Sequence, residues 1–155
     1  ELEKNKILKS EKLGNLKQYS LLQNQEVYSL LAMFDVEKTQ ALSLLRKSAI
    51  RTYINVLPFP PVFAIIFGST AKGTYREESD IDILLVTHKK MDVRKAEKEA
   101  DALNSMNIST FQISFEEFKK ELRMKEDKVV QSAIATGYPV FNQQYYYEVL
   151  KNERV

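Results

Sequence analysis

Gly68-Ser69 and Asp80-Ile81-Asp82 lie ten residues apart within FGSTAKGTYREESDIDILLV, residues 67–86. Glycine lets the backbone approach a ligand closely, and Ser69 offers a hydroxyl where a short helical turn begins with free amide groups that attract anions. Asp80 and Asp82 share one face of an extended segment, with Cα atoms about 7 Å apart at roughly 3.3 Å per residue. Two such carboxylates at the edge of an apolar sheet repel each other and lose hydration, which favours a raised pKa or a bound cation. Hard divalent ions take oxygen ligands, and magnesium usually combines one or two carboxylates with substrate phosphates. The spacing therefore describes a phosphate cradle facing a metal site, which a nucleoside triphosphate carrying Mg2+ or Mn2+ would fill.

The elements that must position these groups are two apolar runs. PVFAIIF (61–67) stops at Gly68, as a buried strand running into a tight turn, and DIDILLV (80–86) is a second buried strand. From Asp35 the pattern is helical, with Ala41, Leu44, Leu45, Ser48, Ala49, Thr52, Tyr53 and Val56 forming one stripe that Leu57-Pro58 ends. A charged helix over 91–106 turns Val93, Ala96, Ala100 and Leu103 to one side. A strand follows over 107–114. Ser114 and Glu117 form a capping box for the next helix, a longer helical segment closes at Gly137 and Pro139, and 143–150 is a last short helix. The expected fold is α/β: a small mixed sheet flanked by helices, preceded by a β-hairpin and a long helix.

The string Gly68-Ser69-Thr70-Ala71-Lys72-Gly73 followed by Ser79-Asp80-Ile81-Asp82 resembles the signature of the DNA polymerase beta-like nucleotidyltransferases, and in particular their minimal prokaryotic members. Those more often carry arginine where this chain has Lys72. The resemblance implies a palm domain that transfers a nucleoside monophosphate from an NTP such as ATP to an acceptor hydroxyl. Gly68 and Ser69 would hold the triphosphate, and Asp80 and Asp82 would serve as catalytic metal ligands. Arg76 would touch a phosphate or else pair with Glu77 or Glu78. Minimal members similar to this chain can act as antitoxins that modify a partner toxin, so a partner protein is an expected acceptor. The family also resembles itself in a third carboxylate on a later strand. Here that strand holds no Asp or Glu, and Thr110 and Gln112 are expected on the face where the acid would stand. Asp101, Glu116 or Glu117 must reach round, or the metal is held weakly and catalysis is reduced or lost.

Residues 1–34 carry a lysine-rich hairpin, 6–12 and 16–22 around Leu13-Gly14-Asn15. It resembles the wing of a winged helix-turn-helix protein, some of which bear a nucleotidyltransferase domain behind the wing. Lys9, Lys12 and Lys17 are then candidates for DNA phosphates. A packing or homodimer role is the alternative. The chain begins on Glu1 rather than Met, which points to an upstream portion. The expected division is 1–34, a wing-like remnant, and 35–155, the nucleotidyltransferase domain. A transcription regulator that only senses nucleotide is the competing reading.

Composition narrows the classes. Without cysteine there is no disulfide framework or thiolate zinc site, and a net charge of +2 argues for no nucleic-acid partner by itself. No apolar stretch approaches the roughly 20 residues of a membrane span, and no signal-like segment opens the chain, so a cytoplasmic protein is expected. His88 reads as an exposed loop residue, and Tyr145, Tyr146 and Tyr147 as aromatics that pack down a tail.

Overall fold

The structure, a computed structural model, describes residues 1–153. Leu8–Leu13 (β1) and Leu16–Leu21 (β2) form the expected hairpin, with Leu13 opposite Leu16 and Gly14 at φ +61° in the turn. Positive φ costs glycine nothing, which fixes the two-residue connection. Cross-strand pairing puts Lys12 and Lys17 directly opposite each other, whereas Lys9 stands on the other face and pairs with Glu11. The three lysines thus do not form one surface. Among the described residues no helix precedes β1.

The helix expected from Asp35 begins ten residues earlier. Asn24 caps Gln25–Gln40 (α1) by accepting from the Val27 amide, so the 34/35 boundary falls inside one continuous helix. Apolar residues surround α1 (Leu30, Leu31, Met33, Phe34, Val36), leaving no period to read. It packs on α7 (Gln143–Glu153) and β6 (Tyr138–Phe141). There Asp35 is buried and accepts from the Tyr147 hydroxyl.

Leu44–Val56 (α2) is a separate helix capped by Ser43. Its buried face is Arg46, Ala49, Ile50 and Tyr53; Leu44 and Leu45, assigned to the core stripe above, are exposed. The buried face is offset from the apolar stripe because it is centred on Arg46, Ala49 and Tyr53, with a charged side chain where the stripe placed leucines. Leu103 is likewise exposed on Arg94–Asn104 (α4), where Asn104 takes the buried place.

The sheet runs β5 (Ile108–Ser114), β4 (Ile81–Thr87), β3 (Phe63–Phe67), β6, with β4 antiparallel to β3 and parallel to β5. A parallel neighbour requires a crossover, which α4 supplies. One face of the sheet, with Ala64, Ile66, Ile81, Ile83 and Leu85, packs on α2 and α4. The other, with Phe63, Ile65, Phe67, Leu84 and Val86, packs on Phe115–Met124 (α5), Lys128–Thr136 (α6) and α7. The longer segment expected up to Gly137 is α5 and α6 with a break between them, followed by a strand missed in the sequence. Pro139, expected only as the close of the helical segment, pairs with Ile65, because β6 is an edge strand, where a missing N–H costs little. The Ser114–Glu117 capping box is present.

Candidate active site

The site forms where β3 ends and β4 begins. Gly68 opens the five-residue helix α3 (Gly68–Lys72) at φ +64°. Its cross-strand neighbourhood explains why no side chain fits: Phe67 pairs with Asp82, and a Cβ on Gly68 would lie 2.5 Å from the Asp82 carboxylate Oδ2. The two motif halves, separate in the sequence, are thus in van der Waals contact. Asp82 is half-buried, and burial followed by the neighbouring Asp80 charge raises its carboxyl above the ordinary range. Asp80 is exposed just outside the strand. Two neighbouring carboxylates, one of them held above its ordinary range, beside an open backbone turn have the chemistry of a site for a hard divalent cation.

A residue that sequence reasoning missed braces the intervening loop. Arg46 of α2 is 1% exposed and forms no ion pair with a carboxylate among the described residues. Its Nη1 donates to Thr70 Oγ1 (3.0 Å), its Nη2 donates to the carbonyls of Arg76 and Ser79 (2.7 Å each), and its guanidinium lies 4.0 Å from the centre of the Tyr75 ring. Burial lowers its pKa, while Tyr75 and Asp80 act in the opposite direction. One side chain therefore ties α3 to the loop that delivers Asp80. The signal was available, because Leu42, Arg46, Ala49, Tyr53 and Leu57 follow helical spacing, but a charged residue was not entered in an apolar stripe.

The backbone N–H of Arg76 donates to Ser79 Oγ (3.0 Å), and its side chain is exposed. Neither Glu77 nor Glu78 forms an ion pair with it among the described residues. Ser69 is half-buried and Lys72 exposed. His88 is exposed, edge-on to Phe115, and Tyr146 packs on Phe63, as the tail reading expected.

The face assigned to the missing acid needs correction. In the parallel β4–β5 pair Asp82 stands beside Ser109 and Leu84 beside Phe111. Thr110 and Gln112 belong to the opposite face, where Thr110 Oγ1 meets the Tyr53 hydroxyl (2.8 Å) and Gln112 bridges the Met91 amide and carbonyl. The alternation on β5 was counted one residue out of register with β4, which moves every side chain to the wrong side. Ser109, Phe111 and Ile113 share the Asp82 face and none is acidic. Of the acids proposed to reach round, Glu116 pairs with Lys119 and Glu117 closes the capping box, while Asp101 is exposed on α4, across the sheet.

The model of a family described as a nucleotidyltransferase domain matches residues 50–136. A toxin-antitoxin crystal structure with AMP-PNP is similar in fold, with a TM-score of 0.50 and 18% identity over 68% of this chain and 81% of that one. A mutant of the toxin-antitoxin MntA-HpeT matches at a TM-score of 0.43 and 16% identity, over 68% and 77% of the two chains. No curated protein sequence matches the chain. The family match runs from the second half of α2 to the end of α6 and includes the Gly-Ser turn, the loop that follows it and both aspartates, and the chain belongs to the nucleotidyltransferase domain family.

Proposed function

We propose that this protein binds a nucleoside triphosphate with a divalent cation and transfers the nucleoside monophosphate to an acceptor hydroxyl. The observation that carries the reading is the contact between Gly68 and the Asp82 carboxylate, which joins phosphate cradle and metal ligands into one site. Gly68 and Ser69 hold the β- and γ-phosphates, Arg76 reaches a phosphate from the loop, and Asp80 and Asp82 hold Mg2+ or Mn2+. Held by Asp80 and Asp82, such a cation would supply charge neutralisation for the transferring phosphoryl group. The acceptor oxygen attacks the α-phosphorus, the bond from that phosphorus to the bridging oxygen breaks, and pyrophosphate leaves with the electron pair. The acceptor's proton goes to solvent, since β5 offers no carboxylate on this face. AMP-PNP in a similar structure favours ATP as the nucleotide, and its toxin-antitoxin setting favours a partner protein as acceptor.

Titration calorimetry tests this. ATP affinity should depend on Mg2+ or Mn2+ in the unmodified protein, and Asp80→Asn with Asp82→Asn should abolish that dependence while the fold persists. Metal-dependent binding that survives the double substitution would overturn the assignment.

The acid-free face of β5 favours a second reading, a regulator that senses nucleotide with weak turnover or none. The β1–β2 hairpin would then be the wing-like unit and the nucleotidyltransferase domain the sensor. Labelled NTP with Mg2+ and cell extract separates the two: a labelled acceptor supports transfer, and bound nucleotide without label supports sensing.

A further inference from the structure

We infer that the cleft between the end of β2, α1 and α7 is a binding site for a small apolar carboxylate, an alkyl or aryl acid whose hydrocarbon lies against Val27, Leu31 and Leu150 and whose charged end meets Tyr28 and Lys151. The cleft lies outside residues 50–136, on elements that supply neither the Gly-Ser turn nor the aspartate pair, so the inference is independent of the transfer reading above. Helical spacing builds it. Val27, Tyr28 and Leu31 share one face of α1, and Tyr147, Leu150 and Lys151 share one face of α7, while Leu21 and Leu22 close the end under the hairpin. Tyr147 also fixes the two helices to each other, because its hydroxyl donates to the buried Asp35. The cavity holds about 260 Å³. An apolar cavity of about 150 Å³ already takes benzene, so this one has room for a ring or a short alkyl chain.

Two donors select the charged end. Tyr28 is 5% exposed, and its hydroxyl finds no hydrogen-bond partner among the described residues. Burial, and after it the Glu148 carboxylate, raises the pKa of this phenol, so it is protonated and able to donate at neutral pH. A buried hydroxyl left unpaired costs stability that an acceptor would return. A water held there would need roughly two to four polar partners, and the side chains of Val27, Leu31 and Leu150 offer none. Lys151 is half-buried and donates to the Gln23 carbonyl (3.1 Å), which leaves further N–H groups on the ammonium. No carboxylate pairs with it among the described residues, and it is the charged side chain that lines the cleft. Glu148 holds the Gln25 amide and is not part of the lining. An unpaired cation and an unpaired donor above an apolar floor favour an anionic acceptor with a hydrocarbon body over an amine or a plain alkane.

The test titrates the isotope-labelled full chain with octanoate, octanol and octylamine, reading amide shifts by NMR and Tm by scanning calorimetry. Octanoate should bind tightest, raise Tm, and shift amides of α1 and α7 while those of Ser69 and Asp82 stay in place. Tyr28→Phe keeps the ring and removes only the hydroxyl, so it should weaken octanoate about fivefold and leave the unliganded chain at least as stable as before. Lys151→Met should erase the preference for the acid over the alcohol. No octanoate binding, octylamine binding as tight as octanoate, shifts confined to other elements, or an affinity indifferent to either substitution would each overturn the site.

Discussion

At the scale of single residues, the decisive comparison is between Ser109 and Gln112. Both stand on β5, yet only Ser109 is beside Asp82. Ser109→Asp should therefore tighten Mn2+ binding and, with an acceptor in hand, raise transfer by about a hundredfold, the usual worth of general-base assistance. Gln112→Glu should do neither, and should destabilise the chain by uncoupling the Met91 backbone. Equal effects of the two substitutions on Mn2+ affinity, measured by electron paramagnetic resonance, would disprove the register argument. The Gly-Ser turn and the Asp pair were legible in the sequence because local spacing alone identifies them. The facing of β5 was not, because strand register depends on a partner that the period-two pattern does not name.

At the scale of elements, Arg46 makes α2 part of the site. Arg46→Met keeps much of the side-chain volume but strips hydrogen bonds from Thr70 and from the loop carbonyls. The expected cost is about 2–4 kcal/mol in denaturant unfolding. Metal-dependent ATP affinity should fall further than the affinity of an equally destabilised core variant such as Val149→Ala; a parallel fall in both would reduce Arg46 to a packing role. The same element shows why the α1–α2 region was only partly readable. Helical content was evident, but the apolar residues of α1 are scattered around the helix and the break at 41–43 carries no glycine or proline to mark it.

At the scale of the whole molecule, the joint between α1 and α7 has a pH dependence with a definite sign. Burial raises the Asp35 carboxyl above the ordinary range, while the Tyr147 hydroxyl and Lys38 oppose the rise. A native state that binds the proton more tightly than the unfolded chain loses stability as pH rises from the ordinary carboxylate range through the raised value. Asp35→Asn should flatten that part of the curve of Tm against pH and leave the remainder unchanged; an unaltered curve would place the proton elsewhere. For the hairpin, Lys12 and Lys17 alone share a face. If a longer parent chain binds DNA through it, replacing both by Ala should lower the salt slope by about two charges' worth, with Lys9→Ala adding nothing. The sandwich of helices on a mixed sheet was legible from element order, whereas the attachment of α1 to the palm rests on contacts more than a hundred residues apart in sequence.

The position of β6 bears on how the chain folds as it is made. β3 and β4, with the whole Gly-Ser and Asp-x-Asp constellation, emerge from the ribosome together, but β3 takes its other neighbour from residues 138–141. Until those residues appear, β3 presents an open edge, and its Phe63, Ile65 and Phe67 lack the α6 and α7 cover that follows. The nascent chain thus carries its Gly-Ser turn and aspartate pair early and its protection against strand-to-strand association last. A ribosome stalled near residue 120 should yield an aggregation-prone product, while one stalled beyond residue 153 by the length of the exit tunnel should not.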